Sequence, residues 1–130
     1  MDEGYFPFLH VFVFDPETFD VRKDVKAIID TGAQDCLVKS SFAKKLGLTV
    51  IDKQQELNPV GGIMEADFYK VGLIIDTPNY MDTSKYAVLT MGTIEDEDYP
   101  ADMILGGTFL RHCIFNYDGR NRSFELHVIL

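Results

Sequence analysis

The stretch "AIIDTGAQDCLV" (27–38) places a carboxylate, a hydroxyl and a glycine between two apolar segments. The residues on either side of this break are typical of β-strands, so we predict two strands joined by a tight turn. Asp30 stands at the end of the first strand and is followed by Thr31 and Gly32. A glycine permits close backbone approach, and buried flanks shield a carboxylate from water. The stretch therefore predicts a reactive carboxylate at a strand end.

A plain structural turn is the alternative for this stretch, with Asp30 bonded to its own backbone and no chemistry attached. The chain holds three Asp-Thr dipeptides, and only the one at Asp30 has an apolar run before it and a glycine after it. The dipeptides that begin at Asp76 and Asp82 lie in polar segments. Three residues alone are a weak signal, so both interpretations stay open on this stretch by itself.

Composition restricts the classes of protein that fit. A chain of 130 residues, 46% hydrophobic and 25% charged, is expected to form one globular domain over 1–130. A net charge of -9 argues against nucleic acid and against an anionic membrane surface as partners. The first apolar run is too short to span a bilayer and has no basic leader, so we expect no membrane association and a cytoplasmic location.

The two cysteines, Cys36 and Cys113, are far apart in the chain and belong to no metal-ligand spacing. We predict two reduced, mostly buried thiols, no metal site and no cofactor.

Hydrophobic alternation predicts a mostly β fold, a closed or folded-over barrel with two short helices. A helix is expected after Ser40 or Ser41, either of which could cap it, with Gly47 at its end. A second is expected over Thr108–His112, and the acidic stretch Glu95–Asp102 is interpreted as a solvated loop. The predicted strands are Tyr5–Phe14, Asp20–Ile29, Thr49–Pro59, Ala66–Asp76, Lys85–Met91, Met103–Leu105, Cys113–Tyr117 and Ser123–Ile129.

Three segments in a set order carry a family resemblance: "DTGAQDCLVKSSFAKKLGL", then "VGGIMEADFYKVGLII", then "ADMILGGTFLRHCIFNYDGRNRSFEL". Together they resemble the retropepsin-like aspartic proteases, which include retroviral proteases and DNA-damage-inducible cellular proteases. The motif is most similar to that of cellular and bacterial single-domain members that read DTGAQ. The resemblance runs from about Val25 to Leu126. It implies a mostly β, closed acid-protease barrel with one or two short helices, assembled as a homodimer.

The resemblance makes Asp30 the catalytic aspartate and Thr31, Gly32 and Ala33 the rest of the active-site loop. It also implies that "MILG", ending at Gly106, packs behind this loop. Viral members commonly carry an arginine after that glycine, paired with an acid near the loop. This chain has Gly107 and Gln34 at those two positions, so both halves of the charge pair are absent.

A diglycine between two β-rich segments predicts the tip of a hairpin that could close over a ligand. An ordinary surface turn is the alternative, although the flanking apolar residues favour a tip that covers something. By resemblance, Val60–Met64 is the flap. The implied substrate-binding residues are Gln34, Asp35, Val60, Gly61, Gly62, Ile63 and Met64.

One chain supplies one carboxylate, whereas aspartic proteolysis uses two that share a proton. A homodimer that joins two Asp30 loops is therefore required for this chemistry. The apolar terminal segments "YFPFLHVFVF" and "SFELHVIL" are the candidate interface, since terminal strands build the dimer sheet in the resembling family. Alternatively, these strands complete the barrel of a single chain.

We therefore predict a homodimeric aspartic endopeptidase that acts on a polypeptide substrate through water activated by the Asp30 pair. A non-catalytic peptide-binding or scaffolding dimer on the same fold is the alternative. A thiol hydrolase using Cys36 and one of His10, His112 or His127 has little support, because Cys36 lies in a strand-like apolar run.

Overall fold

The computed structural model describes residues 7–19, 21–48, 50–57, 63–75 and 85–129. Within these residues the chain forms nine strands and two short helices. The strands are β1 (Phe8–Phe14), β2 (Val21–Ile29), β3 (Leu37–Lys39), β4 (Val50–Leu57), β5 (Ile63–Ile75), β6 (Lys85–Ile94), β7 (Met103–Leu105), β8 (Cys113–Asp118) and β9 (Ser123–Val128). The helices are α1 (Ser40–Leu46) and α2 (Gly107–Leu110). None of the helices in the described ranges is long and apolar enough to cross a membrane.

Six of the strands close into a barrel. Their order is β1, β2, β7, β3, β6 and β5, and β5 pairs in turn with β1. β4 is bonded to β5 as a seventh strand of the same sheet. β7 runs parallel to β2, and β3 runs parallel to β6, while the other pairs are antiparallel. The predicted mostly β, closed barrel is confirmed.

The core lies inside this barrel. Alternate residues of β1 and β5 point inward, and Val13, Val71 and Leu73 are fully buried. β7 lies between β2 and β3, and its three residues are all buried. A strand covered on both faces reads as a continuous apolar run, which explains "MIL". The ends of β2 and β7 lie side by side, with Ile29 opposite Leu105.

The first predicted helix is present, but its cap differs from the prediction. Gly47 ends α1 in the left-handed conformation, with φ of 67°, as expected. The residue before the helix is Lys39, whose side chain makes no capping hydrogen bond. Neither Ser40 nor Ser41 is the cap, because β3 continues directly into α1 and Ser40 is already helical. α2 starts at Gly107 and ends at Leu110, whereas the sequence predicted Thr108–His112.

The interpretation of residues 95–102 as a solvated loop is only half correct. Residues 95–98 are exposed, but Ala101 is 3% exposed. The Asp102 N–H donates to the Lys26 carbonyl (3.0 Å), and the Asp102 carboxylate accepts the Lys26 N–H (3.2 Å). The Lys39 N–H donates to the Asp102 carbonyl (2.7 Å). The loop is buried here because the chain must enter the barrel between two strands to form β7.

The two chain ends behave differently. β1 pairs with β2 and β5. From Phe8 onward this terminal strand therefore completes the barrel of a single chain, which was the alternative interpretation. β9 pairs with β8 in a separate two-stranded sheet outside the barrel sheet. The turn between β8 and β9 begins at Asp118, as "DGRN" predicts. The left-handed residue of that turn is Arg122 (φ 52°).

The strand-like apolar segment after the Asp30 turn is β3, although it is absent from the list of predicted strands, and β6 ends three residues later than predicted. A strand of three residues is too short for alternation to reveal, and it forms because Leu37 and Val38 pair with β6 and β7 at the same time. β6 continues from Met91 to Ile94 because it pairs with β3 there.

Candidate active site

Asp30 begins a tight turn where β2 leaves the barrel. Its backbone N–H donates to the Leu105 carbonyl of β7 (3.0 Å), and its carbonyl accepts the Ala33 N–H (3.2 Å). The Gly32 N–H donates to Asp30 Oδ1 (2.9 Å). The turn with Asp30 bonded to its own backbone is thus present. It occupies one carboxylate oxygen, and Oδ2 has no hydrogen-bond partner in the described part of the chain.

The segment after β7 supports this turn from behind with main-chain hydrogen bonds. The Gly107 N–H donates to the Ala33 carbonyl (2.8 Å), and the Thr108 N–H donates to the Gln34 carbonyl (2.9 Å). A Cβ at Gly106 would lie 2.4 Å from the Asp35 carbonyl oxygen and 2.7 Å from that of Ala33. Only glycine permits so close an approach. Backbone bonds therefore hold the loop, without a charged side chain at position 34 or 107.

Asp30 faces a cavity of about 460 Å³, within the range of small-molecule and peptide sites. Its walls come from the end of β2, the loop before β7 and the β8 strand of the hairpin. The lining residues are Pro7, Ile28, Ile29, Asp30, Thr31, Tyr99, Phe115 and Tyr117. The walls are mainly apolar and aromatic.

Tyr99 lines the same cavity as Asp30 and interacts with its carboxylate electrostatically. Burial raises the pKa of the Tyr99 hydroxyl, and the nearby Asp30 carboxylate raises it further. Both effects disfavour the ionised phenolate. Tyr99 is therefore a neutral hydrogen-bond donor throughout the acidic and neutral pH range.

Comparison with known proteins gives the family. Residues 17–109 match the family model described as "Aspartyl protease". The chain belongs to the aspartyl protease family. No curated protein sequence matches it.

Solved structures are similar to this chain. A retropepsin-like aspartic protease from Rickettsia conorii superposes with a TM-score of 0.56 at 17% identity, covering 92% of this chain and 81% of that one. The EIAV protease gives a TM-score of 0.47 at 18% identity, covering 85% and 90%. The retroviral protease-like domain of Ddi1 from Leishmania major gives 0.45 at 17% identity, covering 92% and 87%. The expected retropepsin-like fold is confirmed, and so is the expected membership of an aspartyl protease family.

The structure brings only part of the predicted site together. Asp30 and Thr31 line the cavity, and Gly32 and Ala33 complete the turn. Gln34 and Asp35 are exposed and are not among the lining residues.

Much of the predicted flap lies outside the described residues, namely Val60, Gly61 and Gly62, as do the dipeptides at Asp76 and Asp82. Ile63 and Met64 are described only by their backbone pairing, opposite Leu57 and Glu56. The two strands of the predicted hairpin are therefore paired up to Leu57 and Ile63, and its tip lies outside the described residues. The roles of all these residues in binding stay predictions.

Three aromatic residues of the cavity were not predicted from the sequence. Phe115 and Tyr117 reach it because β8 folds back toward the end of β2, which no local pattern indicates. Tyr99 carried a signal, since it is an aromatic residue followed by proline within an otherwise acidic segment. Burial of an aromatic side chain is favourable, whereas the charged side chains of its acidic neighbours favour solvent.

Neither cysteine lines the cavity. Cys36 is fully buried and its sulfur accepts the Thr108 hydroxyl (3.3 Å). Burial raises the pKa of Cys113 to about 11, with a smaller contribution from the nearby Cys36. A thiol hydrolase needs an accessible thiolate, so this geometry does not favour one.

Gly106→Ala should destabilise the fold by about 1–3 kcal/mol, because the new methyl group meets two backbone carbonyls that cannot move without breaking the turn. Gly107→Ala is the matched control and should cost less, since its Cβ would be no closer than 3.0 Å to any atom. Urea unfolding measures both. Equal losses for the two variants would contradict the close packing at Gly106.

Iodoacetamide should modify Cys113 slowly in the folded protein at pH 7.5. Its pKa of about 11 keeps the thiol protonated there, and only the thiolate reacts. The rate should rise as pH approaches that value. Mass spectrometry of the labelled protein measures it, with the urea-unfolded chain as control. Labelling as fast as in the unfolded chain would contradict the burial of this thiol.

Proposed function

We propose that the chain is one protomer of a homodimeric aspartic endopeptidase, with Asp30 of each copy forming the catalytic pair. The observation that carries the proposal is the state of the Asp30 carboxylate. Gly32 holds one oxygen, and the other has no hydrogen-bond partner among the described residues and faces an apolar cavity. Membership of the aspartyl protease family supports the same reaction class.

In the proposed mechanism the two carboxylates share one proton. The ionised carboxylate accepts a proton from the attacking water, and the protonated one donates a hydrogen bond to the scissile carbonyl. The Gly32 N–H fixes the orientation of the carboxylate so that little reorganisation is needed. Ile28 and Ile29 exclude water from one side, which strengthens the electrostatic interactions within the site.

Substrate binding in this proposal uses an extended polypeptide that lies across the two Asp30 loops. The hairpin formed by β4 and β5 supports a flap at Val60–Met64, because its paired strands lead to that tip. Closure of the flap would shield the reacting peptide bond from water. Gln34 and Asp35 are exposed at the end of the Asp30 loop. In this proposal they contact the substrate backbone farther from the scissile bond.

The β8–β9 hairpin is the proposed dimer interface. A two-stranded sheet offers two edges to further strands, and this hairpin is not part of the barrel sheet. Phe115 and Tyr117 on its inner face line the same cavity as Asp30, and Tyr117 is 47% exposed. In the proposed dimer a partner on this face would lie next to the Asp30 turn, because Phe115 and Tyr117 share a cavity with Asp30.

Asp30→Asn should abolish cleavage of a peptide substrate while leaving the chain folded. The amide keeps the size of the side chain and can still accept the Gly32 N–H, but it cannot take a proton from water. Asp76→Asn and Asp82→Asn, at the other two Asp-Thr dipeptides, are matched controls and should cleave at the parental rate. Full activity of Asp30→Asn with unchanged thermal unfolding would reject the mechanism.

The pH–rate profile of the parent should be bell-shaped with an acidic optimum. Two facing carboxylates resist ionising together, so the active form holds one proton. Activity should fall at low pH, where both are protonated, and at high pH, where both are ionised. A rate that keeps rising above neutral pH would contradict a shared proton.

Specific activity should fall on dilution, because one chain supplies one carboxylate. Tyr117→Glu should move this transition to at least tenfold higher protein concentration, since it buries a charge in the proposed interface. Asn116→Glu, on the opposite and exposed face of β8, is the control and should leave it unchanged. Sedimentation velocity follows the assembly. An active species that sediments as a monomer would refute the dimer.

A further inference from the structure

Tyr99 is held in place by bonds on both sides of it. Its N–H donates to the Asp96 carbonyl (3.1 Å), and its carbonyl accepts the Lys39 ammonium group (2.7 Å). The same ammonium group donates to the Glu97 carbonyl (3.2 Å). Three residues later, Asp102 is bonded to β2 and β3 through the contacts described above. The loop is therefore fixed to the barrel at two points, and Tyr99 lies between them.

This anchoring directs the Tyr99 ring into the cavity of Asp30. Burial and the nearby Asp30 carboxylate both raise the pKa of the hydroxyl, which therefore stays protonated. Within the described part of the chain it has no hydrogen-bond partner. A half-buried donor without a partner, beside a carboxylate and among apolar walls, is suited to bind an acceptor on a ligand.

The proposed substrate supplies such an acceptor. An extended peptide carries a backbone carbonyl at intervals of about 3.3 Å, so a carbonyl adjacent to the scissile one comes within reach of a donor on the cavity wall. The ring itself offers a flat apolar surface to the substrate side chain that enters the cavity.

We propose that Tyr99 is a substrate-binding residue of the Asp30 site and that Lys39 is the positioning residue that holds it there. The Tyr99 ring forms one wall of the subsite beside the scissile bond, and its hydroxyl donates a hydrogen bond to the bound polypeptide. This inference rests on the proposed function, because it takes the ligand of the cavity to be a polypeptide.

Binding is measured in the Asp30→Asn background, so that cleavage plays no part in the readout. The probe is the member of a random peptide library that this variant binds most tightly, and fluorescence anisotropy gives its Kd. Tyr99→Phe removes one oxygen atom and should weaken binding about two- to tenfold, the usual effect of one lost hydrogen bond. Tyr99→Ala also removes the wall and should weaken binding further.

Lys39→Met tests the positioning role. It keeps the aliphatic stem but removes both bonds to the loop, so it should weaken peptide binding by at least as much as Tyr99→Phe. Thr93→Val is the matched control. It removes the bond from the Thr93 hydroxyl to Glu95 at the start of the same loop without touching the anchors of Tyr99, and binding should be unchanged.

The outcomes separate the two proposals. Loss of cleavage in the parent chain would refute the proposed function, while the binding series would still test Tyr99. Parental affinity in Tyr99→Phe and Tyr99→Ala would overturn the subsite, and so would the absence of any peptide that binds. Parental affinity in Lys39→Met alone would overturn the positioning role. If Tyr99→Ala fails to fold in thermal unfolding, Tyr99→Phe decides.

Discussion

Main-chain pairing between the Asp30 turn and the segment after β7 is the constraint on which the rest of the site depends. Two N–H groups of that segment, from Gly107 and Thr108, donate to the turn at 2.8 and 2.9 Å, and the Asp30 N–H donates to Leu105 at the end of β7 at 3.0 Å. Because the bonds are between backbones, they fix the turn without requiring any particular side chain. They form only if the two segments touch, and a glycine at 106 makes that possible. The position of Asp30 thus depends on a segment more than 70 residues later in the chain.

Local patterns predict the parts of this fold that local forces determine. Alternation identified most strands, and Gly47 ended α1 as expected, because a left-handed cap is a property of a few adjacent residues. What the sequence did not reveal comes from contacts distant in sequence. β3 exists through its pairing with β6 and β7, and Asp102 is half-buried because it bonds to Lys26. Neither contact produces a periodic pattern in the sequence.

The same distinction applies to the candidate site. Asp30 and Thr31 could be predicted from residue type and order, since a carboxylate and a glycine at a strand end are a local feature. The aromatic walls could not, because Tyr99 and Phe115 reach the cavity from two other elements that meet only in the folded barrel. Their role follows from tertiary structure, and it is the walls, more than the carboxylate, that give the site its shape.

The cavity also links chemistry to assembly in the proposed enzyme. A lone carboxylate on an open surface is well hydrated, so its interaction with a second carboxylate is weak. In this chain the surface that would seat a partner, the inner face of β8, is also a wall around Asp30. Covering it would therefore exclude water from the carboxylate at the same moment as it supplies the second one. Formation of the dimer and formation of a low-dielectric catalytic pair would then be a single event, so the isolated protomer would lack both requirements for the reaction.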